Sequence, residues 1–231
     1  MQIDTTFDVR ADSKGRDPDS ASPTLLNFHQ TLWSKPLPSG AMFDLHKVPG
    51  KYLIHESTLG KFQLSSDTIS NSMRSHKSLA NLISQIPVSD LDACQALGST
   101  IGARVLFPGN KIHGKPTINV ARGFNSRIVD RIDWSLECIR LHYCGDPSPL
   151  SDTLERYKDF FGLFGDFKGY IDFFLLNDFS DGESVYRLIS ADVEFGKPRP
   201  TSVEAYLEYM SNSMKFVAAR NRRIDAWADK N

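Results

Sequence analysis

Side chains able to do chemistry are concentrated in one stretch, Thr117–Tyr143, which reads TINVARGFNSRIVDRIDWSLECIRLHY. Arg122, Arg127, Arg131 and Arg140 alternate there with Asp130, Asp133 and Glu137, and Asn119 and Asn125 stand among them. The planar fork of an arginine binds phosphate or carboxylate through two parallel hydrogen bonds. A partly buried carboxylate beside arginines can be tuned towards acid or base work. One reading makes Asn119, Arg122, Asn125, Arg127, Arg131 and Arg140 the lining of a site for an anionic ligand, with Asp133 and Glu137 as catalytic carboxylates. The other makes the same charges an internal ion-pair network that fixes one element against another, since structural networks perturb charges as readily as active sites do. The sequence leaves both open.

The elements that must position these residues follow from periodicity. Thr117–Ala121 alternates polar and apolar, as a half-buried strand does. Arg122-Gly123 ends it, and Asn125 or Ser126 can cap a helix start. On a 3.6-residue wheel from Arg127, Ile128, Ile132, Leu136, Ile139 and Tyr143 share a face, and Trp134, Cys138 and Leu141 form a second patch, so the helix is expected to be covered on two sides. An alternative is a separate turn over Ser126–Ile132, with Asp133 capping a helix that begins at Trp134.

Elsewhere, Ile3–Val9 reads as a short strand, followed by the turn-rich RADSKGRDPDSASP. Pro23 takes the first position of a helix whose apolar face includes Leu25, Phe28, Leu32 and Trp33. Met42–Val48, Lys51–Ile54 and Lys61–Leu64 read as strands, Ser65–Met73 as a polar turn, and His76–Ile86 and Ser89–Leu97 as short helices. Ile101–Phe107 reads as a strand, and PGNKIHGKP as a hairpin-like loop returning into Thr117–Ala121. Ser148 is a candidate helix cap. Seven of the fifteen phenylalanines lie between Phe160 and Phe179, which makes that helical pair the main hydrophobic mass. Val185–Ile189 is a further strand candidate. Thr201 and Glu204 match a capping box, opening a long helix with Val203, Leu207, Met210, Met214, Val217, Ile224 and Trp227 on one stripe and a basic later part.

Composition narrows the classes. With 27 Lys and Arg against 28 Asp and Glu, the chain has no global attraction to nucleic acid or membrane, so a nucleic-acid site would have to be a local patch. Three cysteines without CxxC spacing argue for a reducing compartment. No stretch has the form of a signal peptide or of a ~20-residue membrane span. Cytoplasmic residence without membrane association is therefore expected. There is no GxxxxGK[ST], strand-linked GxGxxG, HExxH or GxSxG, which counts against the common NTPase, dinucleotide, zinc-protease and hydrolase readings and leaves any cofactor unknown. Cys138 and His142 have helical metal-ligand spacing but no third or fourth ligand. Asp192, Glu194 and Lys197 are similar to the carboxylate–lysine sets of metal-dependent nucleases, with one residue too many between Glu and Lys.

The run ARGFNSRIVDRIDWSLECIRLHY, followed by SPLSDTLERYKDFFGLFGDFKGYIDFFLLNDF, resembles the signature of an uncharacterised bacterial family, and LWSKPLPSGAMFDL and LGKFQLSSDTI fit the same family. The resemblance covers most of the chain and implies a bacterial, single-domain protein. It carries no activity, substrate or catalytic residue. Stand-alone families of this kind often serve phage defence or toxin-like systems. His55-Glu56-Ser57 at a strand end resembles a nicotinamide-dinucleotide contact of ADP-ribosyltransferases, over three residues only.

The expected fold is α+β, a single domain over 1–231 with an irregular segment at 1–23. A small, mostly antiparallel sheet from residues 42–64 and 101–121 packs with five or more helices, the last of them long. Three functions are carried forward. The first is binding or acting on a nucleotide or nucleic acid through the Asn119–Arg140 strip. The second is a non-enzymatic interaction or homodimerisation module with structural charges, and the third is an ADP-ribosyltransferase-like enzyme using His55.

Overall fold

A computed structural model describes residues 3–48, 52–69, 74, 76–196 and 198–230. Its sheet is built around one long strand. β3 (Leu53–Ser57) and β4 (Gly60–Thr68) form a tight hairpin, and Gly60 adopts φ +140°, a conformation that favours glycine. β4 then runs on to pair antiparallel with β5 (Arg104–Pro108), from Leu64 opposite Pro108 to Thr68 opposite Arg104. A separate two-stranded ribbon joins β1 (Lys35–Pro36) to β2 (Met42–Phe43). The sheet is thus antiparallel and small, as expected, but its composition differs from the sequence reading in two places. Ser65–Thr68 continues β4 instead of turning, and the second half of the expected hairpin is helical.

Among the described residues ten α-helices accompany these strands: α1 (Pro18–Ala21), α2 (Pro23–Trp33), α3 (Ala80–Ile83), α4 (Val88–Leu97), α5 (Ile118–Phe124), α6 (Ile132–Cys144), α7 (Ser151–Glu155), α8 (Lys158–Gly162), α9 (Phe167–Phe173) and α10 (Val203–Ala228). The architecture is α+β with a long C-terminal helix. Several local expectations need correction. Ile3–Val9 forms turns and not a strand, and Val185–Ile189 contributes a single bridge, Ser180 to Val185. Ile101–Ala103 is a 3₁₀ turn that precedes β5. Only Met42–Phe43 of Met42–Val48 is strand, with one further bridge at His46. α7 begins at Ser151, with Ser148 accepting the Leu150 N–H one turn earlier. α10 is capped by Ser202, whose hydroxyl accepts the Ala205 N–H at 3.2 Å, so the cap falls one residue later than Thr201.

The core is aromatic. Phe160, Phe161, Phe164, Phe167, Phe173, Phe174 and Phe179 are all buried. Edge-to-face contacts tie them to the strands and to α2: Phe62 to Phe160 at 5.5 Å, Phe43 to Phe173 at 5.3 Å, and Trp33 to Phe174 at 5.3 Å. Such pairs add ~0.5–1.5 kcal/mol each beyond area burial. Helix α10 is anchored to the start of β5 by polar contacts. Asn221 accepts the Gly102 N–H at 2.8 Å and donates to Thr100, while buried Arg220 donates to the carbonyls of Gly102, Arg104 and Phe174.

The close approach at Gly102 leaves no room for a side chain. A Cβ there would lie 2.1 Å from Asn221 Oδ1 and 2.9 Å from the Val217 carbonyl. Gly102→Ala is expected to lower stability by at least ~1–3 kcal/mol, the range for overpacking, read as a fall in the denaturant midpoint. An unchanged midpoint would show that α10 can slide on β5.

Helix α1 meets the sheet through Asp19, which is buried and accepts the Ser66 N–H at 2.7 Å as well as its hydroxyl. Burial pushes this carboxyl up to about 7, against the pull of Ser66 and the Arg104 charge. The folded value lies above the ordinary 3.8. Between these two values the folded chain keeps a proton that the unfolded chain has lost, so this group's contribution to stability falls as pH rises through the window. Asp19→Asn carries no such proton. The stability of wild type relative to the variant should therefore decline from about pH 4 to about pH 7, and a flat difference would place the ordinary carboxylate there instead.

Candidate functional site

The Thr117–Tyr143 stretch folds as two helices joined by a strained corner. The expected strand over Thr117–Ala121 is wrong: Thr117 is an N-cap whose hydroxyl accepts from Val120 N, and Ile118–Phe124 is α5. The alternation of Thr-Ile-Asn-Val-Ala is overridden because Ile118 and Arg122, four apart, are the two residues of this helix that are buried. Asn125 closes α5 instead of opening the next helix. The following residues form a turn in which Val129 and Asp130 have φ of 47° and 61°, rare for a β-branched residue and costly for both. Helix α6 starts at Ile132 after Arg131, so the separate turn describes the chain better than a helix from Arg127. Both expected apolar faces are covered. Ile128, Ile132, Leu136 and Ile139 are buried on one side, and Trp134 and Cys138 on the other.

Arg122 holds the corner shut. It is 1% exposed and donates from Nε to Ser135 Oγ at 2.6 Å, from Nη1 to Asp67 Oδ2 at 2.5 Å, and from Nη2 to the Asp130 carbonyl at 3.0 Å. Its guanidinium also lies 5.1 Å from the centre of the Phe107 ring. One side chain therefore ties α5, the strained turn, α6 and β4 together.

Arg131 makes the second junction. It is 0% exposed, forks onto Asp133, reaches Asp192, and donates to the Pro198 carbonyl at 2.9 Å. Asp133 in turn accepts the Leu188 N–H at 3.0 Å. Burial alone would pull the Arg131 guanidinium down, but Asp133 and Asp192 outweigh it and hold it above its usual value. These contacts lay residues 187–196 and Pro198 as a strap across α6. Phe195 packs on Trp134 at 4.7 Å, Arg187 stacks over the same indole at 4.2 Å, and Arg127 sits 5.7 Å from the Phe195 ring.

Glu137 and Arg140 form the third group, with two donors from Arg140 at 2.7 and 3.1 Å and Arg187 3.6 Å away. Burial raises the Glu137 carboxyl, yet Arg140 and Arg187 more than offset this and leave it below the usual carboxylate range. Asn119 donates to Ser65 and to the Ser66 carbonyl, and Asn125 donates to the Pro149 carbonyl. Asp133 and Glu137 thus lie on one helix, each engaged by an arginine. Arg127 is exposed and points to the Phe195 carbonyl.

Sequence reasoning missed Asp67 and Arg187, which had no local signal. Asp192 was singled out for a different use; its partner is Arg131, and Lys197 lies outside the described residues. His55, the residue that resembled a nicotinamide-dinucleotide contact, is buried. Its ring stacks on Phe43 at 4.1 Å and its Nδ1 donates to the Asp44 carbonyl. Cys138 is buried, and among the described residues no three His, Cys, Asp or Glu side chains could share a metal. The described clefts include one of 420 Å³ beside α1 and α2, lined by Arg16, Ser20, Asn27 and Lys47, and one of 400 Å³ between α4 and α10.

The fold and its buried arginine junctions define an α+β domain with a helical corner and a strap locked by charge pairs. The chain belongs to a family of unknown function, DUF6994, whose model matches residues 3–224. No curated protein and no solved structure matches it. No helix among the described residues is long and apolar enough to cross a membrane.

Removing one side of a buried charge pair strands the other. Arg131→Ala is expected to lower unfolding free energy by ~3–5 kcal/mol, measured by urea titration. A loss below ~1 kcal/mol, the scale of exposed pairs, would mean that Asp133 and Asp192 find water.

Proposed function

We propose that this protein is a non-enzymatic interaction module in which the central charges are scaffold. One observation carries the reading. The guanidinium donors of Arg122 and Arg131 are engaged inside the protein, while the segments they tie down carry the most exposed large apolar side chains among the described residues, Phe124 at 89% and Val193 at 86%. Exposed apolar groups held on rigidly fixed segments are what a binding surface needs. Arg127 links the two: it follows Phe124 by three residues and lies against Phe195, two residues beyond Val193. The three cysteines are free, in keeping with work in the cytoplasm.

A photocrosslinking residue placed at 124 or at 193 should give adducts in cells, whether with another molecule or a second copy of the chain, and the same probe at Asp159 should not. Asp133→Asn and Glu137→Gln should leave those adducts in place wherever the variant folds. No adduct from either position, together with loss of the cellular phenotype in a folded Glu137→Gln variant, would return the charged strip to a catalytic role.

A further inference from the structure

The segment that carries α5 has a charge pattern unlike the rest of the chain. Residues 93–129 contain no Asp or Glu, yet include Arg104, Lys111, Lys115, Arg122 and Arg127, in a protein that is otherwise near neutral. Arg104 and Arg122 turn inward; Lys111, Lys115 and Arg127 are exposed and have no ion-pair partner among the described residues. Phe124, at the end of α5, stands between Lys115 and Arg127 in the sequence and is 89% exposed, with Val120, 41% exposed, one turn back on the same face. Gly123 lies beside them with open space over its Cα.

The platform is fixed in advance. The loop 109–116 is held by the Gly109 N–H on the Gln63 carbonyl, Tyr157 Oη on the Asn110 carbonyl at 2.8 Å, and Arg156 on the Pro116 carbonyl at 3.0 Å. Its far side is held by Arg122 and the turn at Val129-Asp130. An exposed aromatic ring in a segment whose exposed cations have no ion-pair partner among the described residues matches the two things a single-stranded nucleic acid offers, a base face for stacking and flanking phosphates. A duplex keeps its base faces covered and offers an exposed ring nothing to stack on.

We infer that the exposed face of α5 and the 109–116 loop bind single-stranded nucleic acid, a base stacking on Phe124 while Lys111, Lys115 and Arg127 meet the phosphates. The inference rests on the module reading and names its partner. Fluorescence anisotropy with labelled dT and rU 12-mers tests it and separates DNA from RNA. Binding should weaken with salt at a log–log slope of about −2, from ~0.7 per phosphate over three contacts. Phe124→Ala should weaken binding by about tenfold or more, within the range for loss of one stacked base. Lys111→Ala and Lys115→Ala should each make the salt slope shallower. All three positions lie at the surface, so thermal melts should match wild type. No binding at low salt, or equal binding by wild type and Phe124→Ala, overturns the inference. If oligonucleotides fail while position 124 still crosslinks to protein, the nucleic-acid inference falls and the module reading survives. If position 124 and position 193 give no adduct at all, both fall.

Discussion

A guanidinium removed from water must find an acceptor for each of its donors, and much of this architecture follows from meeting that demand at Arg122, Arg131 and Arg220. Arg122 collects the Asp67 carboxylate of the sheet, a hydroxyl of α6 and the carbonyl of a left-handed residue. Arg131 collects two carboxylates and a carbonyl from the strap. Arg220 meets this demand only at Nη1 and Nη2, through backbone carbonyls, its buried Nε having no hydrogen-bond partner among the described residues, and burial pulls its guanidinium down to about 10. Each arginine reaches acceptors on several elements, so each fixes a relative position that hydrophobic contact alone leaves free to slide.

The same demand explains the strained corner. Two consecutive left-handed residues cost ~1–3 kcal/mol each, and they persist because their carbonyl and amide are claimed: the Asp130 N–H by the Arg122 carbonyl, the Asp130 carbonyl by the Arg122 guanidinium. The corner turns α5 away from α6, and Phe124 consequently faces solvent instead of joining the aromatic core. A surface feature is thereby set by a buried one. The strap is held on the same terms, with Arg187 and Phe195 covering the Trp134 indole.

Much of the architecture could be read from residue order. The aromatic mass at Phe160–Phe179, the helix opened by Pro23, the C-terminal helix and the two-sided burial of α6 depend on short-range periodicity, which 3.6-residue spacing makes visible. Thr117–Ala121 could not be read that way. Its alternation fits a strand, and the choice was made by Arg122, which needs the helical register of Ile118 to reach Asp67 in β4. Ser65–Thr68 looked like a turn because its residues are polar, yet Ser66 occupies a core-facing strand position satisfied by Asp19 from α1. In both places a partner about fifty positions away overrode the local pattern.

The sequence by itself determined the class and the inventory: an α+β chain, a charged central helix with an apolar patch on each side, and free cysteines. Those properties depend on composition and local spacing, which exist before the chain folds. Only the tertiary structure decided what the charges do. Whether Arg122 and Arg131 face a ligand or an internal carboxylate depends on Asp67 and Asp192 arriving from distant segments, and no periodicity encodes that meeting. The same holds for Phe124. Its ring is as apolar as those of the core, and it stays in water because the corner locked by Arg122 points it there.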